Sequence, residues 1–196
     1  MGWGVFAPPP QMPHNQRMAL VFEQADLTRH RAVLMRFNVD YATWIAGEVK
    51  KRFGLDLVAV LGTDIETYVA GALDKLCEPQ PPEGVFYVAT SGAEAVGMGG
   101  LRRIRPGVCE LKRIYVPRTA RGGGFGAAIF DRLMADARAY GYPEAVLETG
   151  PFMTSAHRIY EAAGFVDIAP YAEAEVPQPL HHDWRFMRCA LRGADQ

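Results

Sequence analysis

Cysteine is scarce in this 196-residue chain: Cys77, Cys109 and Cys189 are the three, an odd number set far apart. That count and spacing indicate neither a disulfide framework nor a zinc site, and a reducing cytoplasm is the expected setting. Neither charge sign is in excess, with 21 basic and 22 acidic side chains and a formal net charge of −1. Such a balance gives no electrostatic footprint for nucleic acid or a membrane surface, so neither is expected as a partner. Long apolar runs are missing too: no stretch approaches the roughly 20 residues of a membrane span, and no basic start precedes an apolar core at the N-terminus. Internal repeats and low-complexity tracts are likewise absent from the sequence.

What is present is 49% hydrophobic side chain over this length, enough for one soluble globular domain with a core. Residues 1–16, with Pro8, Pro9, Pro10 and Pro13, suit neither helix nor central strand and are read as an extended tail.

The chain is organised around Cys109 to Gly126 (CELKRIYVPRTARGGGFG), a strand that runs into a glycine-rich turn and then a helix. Leu111, Ile114 and Val116 break strict alternation, and one extra residue near Lys112 and Arg113 would restore a common face, which is the pattern of a β-bulge. Tyr115 as the core residue is the alternative without a bulge. The glycines let main chain approach a bulky anion and point N–H groups at it, while the helix start adds roughly +0.5 of a charge. This is a seat for phosphate or pyrophosphate. It is not a Walker A loop, which ends in Gly-Lys-Ser/Thr where this one ends Gly126-Ala127-Ala128. A dinucleotide fingerprint fits Gly122, Gly124 and Ala127, with Glu148 further on, but Glu110, Lys112 and Arg113 do not suit a central parallel strand.

Elsewhere, Arg17 to Gln24 is predicted as a strand, and Asp26 as the N-cap of a long helix through about Arg52, ended by Gly54. Leu55 to Leu61 is read as strand or extended linker, and Asp64 to Cys77 as helix. Val85 to Thr90 and Ala95 to Arg103 form a hairpin, and Pro106-Gly107 turns into the central strand. After the glycine turn, Ile129, Leu133, Ala137 and Tyr140 line one helix face, with Asp131, Arg132, Asp136 and Arg138 largely facing away. Ala145 to Thr149 is a strand parallel to the central one, and Thr154 or Ser155 caps a helix that Gly164 closes. Val166 to Ala169 and Trp184 to Leu191 are the last strands.

Arg121-x-x-Gly124-x-Gly126 matches the R/Q-x-x-G-x-G/A acyl-CoA pyrophosphate loop of the GNAT superfamily of N-acetyltransferases. The segment from Ala156 to Phe165 (AHRIYEAAGF) resembles that family's A-x-x-x-Y-x-x-x-G-F stretch, at the usual separation. The resemblance implies a single GNAT domain over residues 17–192, with an α+β fold whose mixed, mostly antiparallel central sheet has about seven strands, a β-bulge in the fourth, and flanking helices. It implies an N-acetyltransferase that moves an acetyl group from acetyl-CoA to an amine by direct attack in a ternary complex, with no metal. The acceptor would be a small molecule or a protein, and a homodimer stays open. The alternative is an inactive acyl-CoA-binding sensor or partner-binding module of the same fold.

The resemblance assigns the pantetheine arm to the main chain of Ile114, Tyr115 and Val116, and the pyrophosphate to Arg121, Gly122, Gly123, Gly124, Phe125, Gly126 and Ala127. It assigns to Tyr160 the proton for the departing thiolate; a core tyrosine is the other reading. Glu110 is a candidate base for the incoming ammonium, or a strand carboxylate paired with Arg113 or Lys112, the second slightly preferred. Met153 stands where many members carry Asn, which places cofactor contacts there in question. His181 and His182 are read as solvated, His157 as a surface residue near coenzyme A, and Cys109 as a buried structural thiol.

Overall fold

The computed structural model describes residues 19–191. The expected tail at 1–16, and Arg17 and Met18 of the predicted first strand, lie outside the described residues. Among the described residues seven strands form one sheet in the order β1-β2-β3-β4-β5-β7-β6. These are β1 Leu20–Gln24, β2 Gly84–Ser91, β3 Glu94–Arg105, β4 Val108–Tyr115, β5 Glu144–Thr149, β6 Val166–Ile168 and β7 Arg185–Ala190. Every neighbouring pair is antiparallel except β4 and β5, which are parallel across the helix between them.

Among the described residues five α-helices flank the sheet: α1 Leu27–Phe53, α2 Leu57–Leu61, α3 Ile65–Cys77, α4 Phe125–Ala139 and α5 Thr154–Ala162. Asp26 caps α1 by accepting from the Thr28 amide at 2.8 Å, and Lys50, Lys51 and Arg52 complement the negative end of its dipole. The run from Leu55 to Leu61 is helical over Leu57–Leu61, not strand or linker as expected. Its apolar residues are too few to show a period, and the deciding signals are the Asp56 cap, which accepts from Val58 and Ala59 amides, and the left-handed Gly62. On α5 the N-cap is Met153, with no capping side chain, so neither Thr154 nor Ser155 has the predicted role.

The core lies on both faces of the sheet. On one, Val85, Tyr87, Leu101, Cys109 and Leu147 pack with Ile129, Phe130 and Leu133 of α4 and Tyr160 of α5. On the other, Phe86, Val88 and Met98 meet Leu34 and Phe37 of α1 and Leu73 of α3. Each fully buried side chain of this size stabilises by about 1.5–3 kcal/mol. Helix α4 sits close because β3 is glycine-rich beneath it: a Cβ at Gly99 would lie 2.8 Å from Ile129 Cγ2. Asp136, expected on the outer face of α4, is buried instead, because Arg132 Nε donates to it at 2.9 Å and Arg132 also donates to the Tyr87 hydroxyl at 2.6 Å.

Strand β4 positions the site. Met98 pairs with Tyr115 and Gly100 with Lys112, so three steps on β4 face two on β3, and the predicted bulge is present. Arg113, at its centre, has φ 53, the sole non-glycine positive φ among the described residues. Pairing with β5 stops at Glu110↔Val146 although both strands continue, so the edge of Leu111 to Tyr115 that faces β5 has no strand partner among the described residues.

Candidate active site

Two cavities meet where β4 and β5 part, one of about 510 Å³ and one of about 190 Å³. Tyr41, Leu111, Lys112, Arg113, Glu148 and Met153 line both. The larger is a groove bounded by the unpaired β4 edge, the glycine turn and α5. Of the predicted cofactor residues, Ile114, Tyr115, Val116, Arg121, Gly122, Gly124, Phe125, Gly126 and Ala127 line it. Gly123 is not among the lining residues. Its need for glycine is local packing, since a Cβ there would lie 2.8 Å from the Phe125 ring.

Gly122 and Gly124 have φ 85 and 79, while a Cβ on either would meet nothing within 4 Å. The backbone conformation therefore selects glycine here, and the space above stays open. Gly124 is the N-cap of α4 and supplies no side chain, so the amides of Phe125, Gly126 and Ala127 at the positive helix end have no side-chain cap. These uncapped donors on the wall of an open groove fit a pyrophosphate. Arg121 stands at the rim: its Nε donates to Val116 O at 3.2 Å, and its guanidinium lies 5.9 Å from the Trp44 ring centroid.

Tyr160 is 9% exposed and packs its ring 5.5 Å from Phe130 and 6.0 Å from Phe165. The residue lines the groove, and its hydroxyl makes no hydrogen bond among the described residues. Core ring and available hydroxyl are thus combined in one residue. Burial, helped by Tyr41, holds the phenol above its usual range, so it is protonated at neutral pH.

Glu110 is held differently from the sequence expectation. Its carboxylate accepts from Arg102 Nε at 2.8 Å and from the Tyr171 hydroxyl at 2.7 Å, with Lys112 Nζ at 3.7 Å; Arg113 is not a partner. The preferred pairing role holds for Lys112, and Arg102 and Tyr171 were invisible because the register of β3 and the course of the late loop bring them in.

Glu148, noted in the sequence only as the acidic residue beyond a dinucleotide fingerprint, is the carboxylate on the wall of both cavities. One oxygen accepts from the Glu175 and Val176 amides at 3.0 and 3.3 Å. Burial first, and then repulsion from Glu110, push its pKa up to about 7. The sole sequence signal for it was position, at the end of the strand before the tyrosine helix.

Other expectations need correction. His157 is buried, its Nε2 3.0 Å from Gly150 O, and burial lowers its pKa; it fixes the loop before α5 and is not a surface residue. His181 is half-buried against Phe186 with Nε2 2.9 Å from Val176 O, while His182 is exposed. Among the described residues no group of three or more His, Cys, Asp or Glu is placed to hold a metal ion. Cys109 is wholly buried and burial raises its thiol to about 12, as suits a structural residue. Met153 lies where the cavities join, its Sδ 3.5 Å from Thr149 Oγ1.

The family model for the acetyltransferase (GNAT) family matches residues 61–165, more than half of the chain. The chain belongs to that family. An IAA acetyltransferase of Azospirillum brasilense is 35% identical over 50% of this chain and 65% of its own length. An uncharacterized N-acetyltransferase of Schizosaccharomyces pombe is 28% identical over 76% of this chain and 90% of its own. The first relative is thus matched over slightly under two thirds of its length. Among solved structures, the PaiA N-acetyltransferase of Thermoplasma acidophilum in complex with coenzyme A shares the fold, with a TM-score of 0.62 and 12% identity over 88% of this chain and 99% of that one. The GNAT fold and mixed seven-stranded sheet expected from the sequence are borne out. The matched segment is a GNAT-family acetyltransferase domain.

Proposed function

We propose that this chain moves an acetyl group from acetyl-CoA to a primary amine by direct attack, with Glu148 as base and Tyr160 as acid. One observation carries the reading: a carboxylate poised near neutrality and a protonated phenol line one groove at the point where the strands part. Burial raises both groups, yet the carboxyl titrates near neutrality and can take a proton while the phenol keeps its own to give.

The glycine turn and the uncapped amides of α4 hold the pyrophosphate, and Arg121 at the rim adds charge. The free β4 edge from Ile114 to Val116 takes the pantetheine arm as an added strand, as bound coenzyme A in the Thermoplasma protein encourages. Acetyl-CoA supplies the activated thioester. Glu148, reached from the smaller cavity, removes a proton from the attacking ammonium. A carbon–nitrogen bond forms, an unpaired β4 amide stabilises charge developing on the carbonyl oxygen, and the carbon–sulfur bond breaks. Tyr160 gives its proton to the leaving sulfur, and the second proton shed by the nitrogen as the amide forms restores the phenol. Glu110 serves beside the base: after burial, repulsion from its carboxylate is the second cause that raises the Glu148 pKa.

Among the described residues no helix is long and apolar enough to cross a membrane. A cytoplasmic site of action agrees with three unpaired thiols. A panel of amines assayed for released coenzyme A thiol, with mass spectrometry of the products, tests the proposal. An acetylated amine is the expected product. Acetyl-CoA binding without thiol release from any amine would sink it.

A further inference from the structure

We propose that the smaller cavity takes as acceptor a small α-amino acid with an apolar side chain, its carboxylate held by Arg113 and its amine by Glu148. This rests on the acetyl-transfer reading and adds the substrate class to it.

The charges around the cavity are the starting point. Lys112 Nζ lies 2.7 Å from Glu175 and 3.7 Å from Glu110, and Arg102 reaches the same two carboxylates at 2.9 and 2.8 Å. Two cations and two anions therefore neutralise one another in a closed network. Two charged groups remain on the wall, Glu148 and Arg113. Among the described residues Arg113 forms no ion pair. Its Nη1 donates to Asn38 Oδ1 at 2.8 Å, and Asn38, wholly buried, donates in turn to Leu34 O at 2.8 Å. A neutral amide thus steadies one arm of the guanidinium and leaves the rest of a fork suited to carboxylate.

The same residue sits in the left-handed region at the centre of the β4 bulge, a strained conformation for a residue with a side chain. Strain of this kind collects where a side chain must be aimed. Arg113 and Glu148 act on one neighbourhood. Tyr41, whose hydroxyl burial raises to about 12, is pulled down by the Arg113 charge and pushed up by that of Glu148. One cation and one base beside a shared aromatic wall complement an amino acid zwitterion. A polyamine would instead bring positive charge to Arg113.

The other walls set the side chain. Ala42 and Ile45 of α1, Leu57 and Leu61 of α2 and Ile65 of α3 are apolar. At about 190 Å³ the cavity is smaller than the roughly 300–1,000 Å³ of sites that enclose drug-sized ligands, which favours a single amino acid.

Calorimetry on the full chain saturated with coenzyme A tests this without turnover. The ligands are L-leucine and L-phenylalanine, with L-leucinamide, isopentylamine and phenethylamine as controls that lack the carboxylate. The free amino acids are expected to bind about 10- to 100-fold more tightly than the controls, the range of a charged hydrogen-bonded contact. Arg113→Gln should abolish that preference while acetyl-CoA still binds, and Arg113→Lys should retain part of it. Controls that bind as well as the amino acids, or amino acids that give no heat, overturn the proposal whatever the variants do. Either result with acetyl-CoA still bound leaves the acetyl-transfer reading standing. A chain that does not bind acetyl-CoA loses both.

Discussion

Glu148 and Tyr160 are both unusual acids, for different reasons. The carboxyl is buried beside another carboxylate, and the phenol ring is walled in by aromatic rings. A base must be deprotonated to work, so kcat/KM should rise with pH through about 7 and then level. Glu148→Gln should lower kcat/KM by about 10²-fold or more and flatten that limb, as a pH–rate profile would show. The same shift bears on stability. The folded chain holds the Glu148 proton more tightly than the unfolded chain, so the stability this adds is complete below about pH 4.5 and lost as pH rises through about 7. Glu148→Gln keeps an oxygen for the Glu175 and Val176 amides. It should therefore melt above the parent at pH 8, with a smaller gap at pH 5. Tyr160→Phe removes a hydroxyl with no hydrogen-bond partner among the described residues, so the fold should persist while kcat falls about 10²-fold and acetyl-CoA affinity stays close to the parent's. Single-turnover rates and a binding isotherm separate the two effects.

At the scale of elements, the site is a gap between two parallel strands, propped open by a bulge in one and capped by the start of a helix. Gly124 joins the last two features. A side chain there would have to adopt φ near 79 at about 1–2 kcal/mol and project into the open space of the groove. Gly124→Val is expected to lose acetyl-CoA affinity while circular dichroism and a moderately lowered melting temperature report a retained fold. Unchanged affinity would argue against the glycine turn as pyrophosphate seat. The bulge and the capped helices were legible because each depends on a few neighbours: an odd spacing from Leu111 to Ile114, an Asp before a helical run, a Gly after it. Helix α2 was not, because five residues show no period and their apolar side chains remain partly exposed.

For the whole molecule, one sheet with helices on both faces makes ligand binding report on global stability. Acetyl-CoA at about 100 times its Kd should add about 2.7 kcal/mol and raise the melting temperature by several degrees, an effect that ATP should not reproduce to the same extent. Differential scanning calorimetry is the check.

The sequence by itself determined the family, the glycine turn, the bulged strand and the tyrosine helix, because those features follow from short-range backbone geometry written into contiguous residues. Only the tertiary structure set the two strand carboxylates apart. Glu110 and Glu148 look alike on their strands, yet Arg102, Lys112 and Tyr171 occupy the first, while burial, the Glu175 and Val176 amides and the charge of Glu110 tune the second. A pKa is the sum of solvent exclusion and nearby charge. Both come from segments that meet only when the chain has folded.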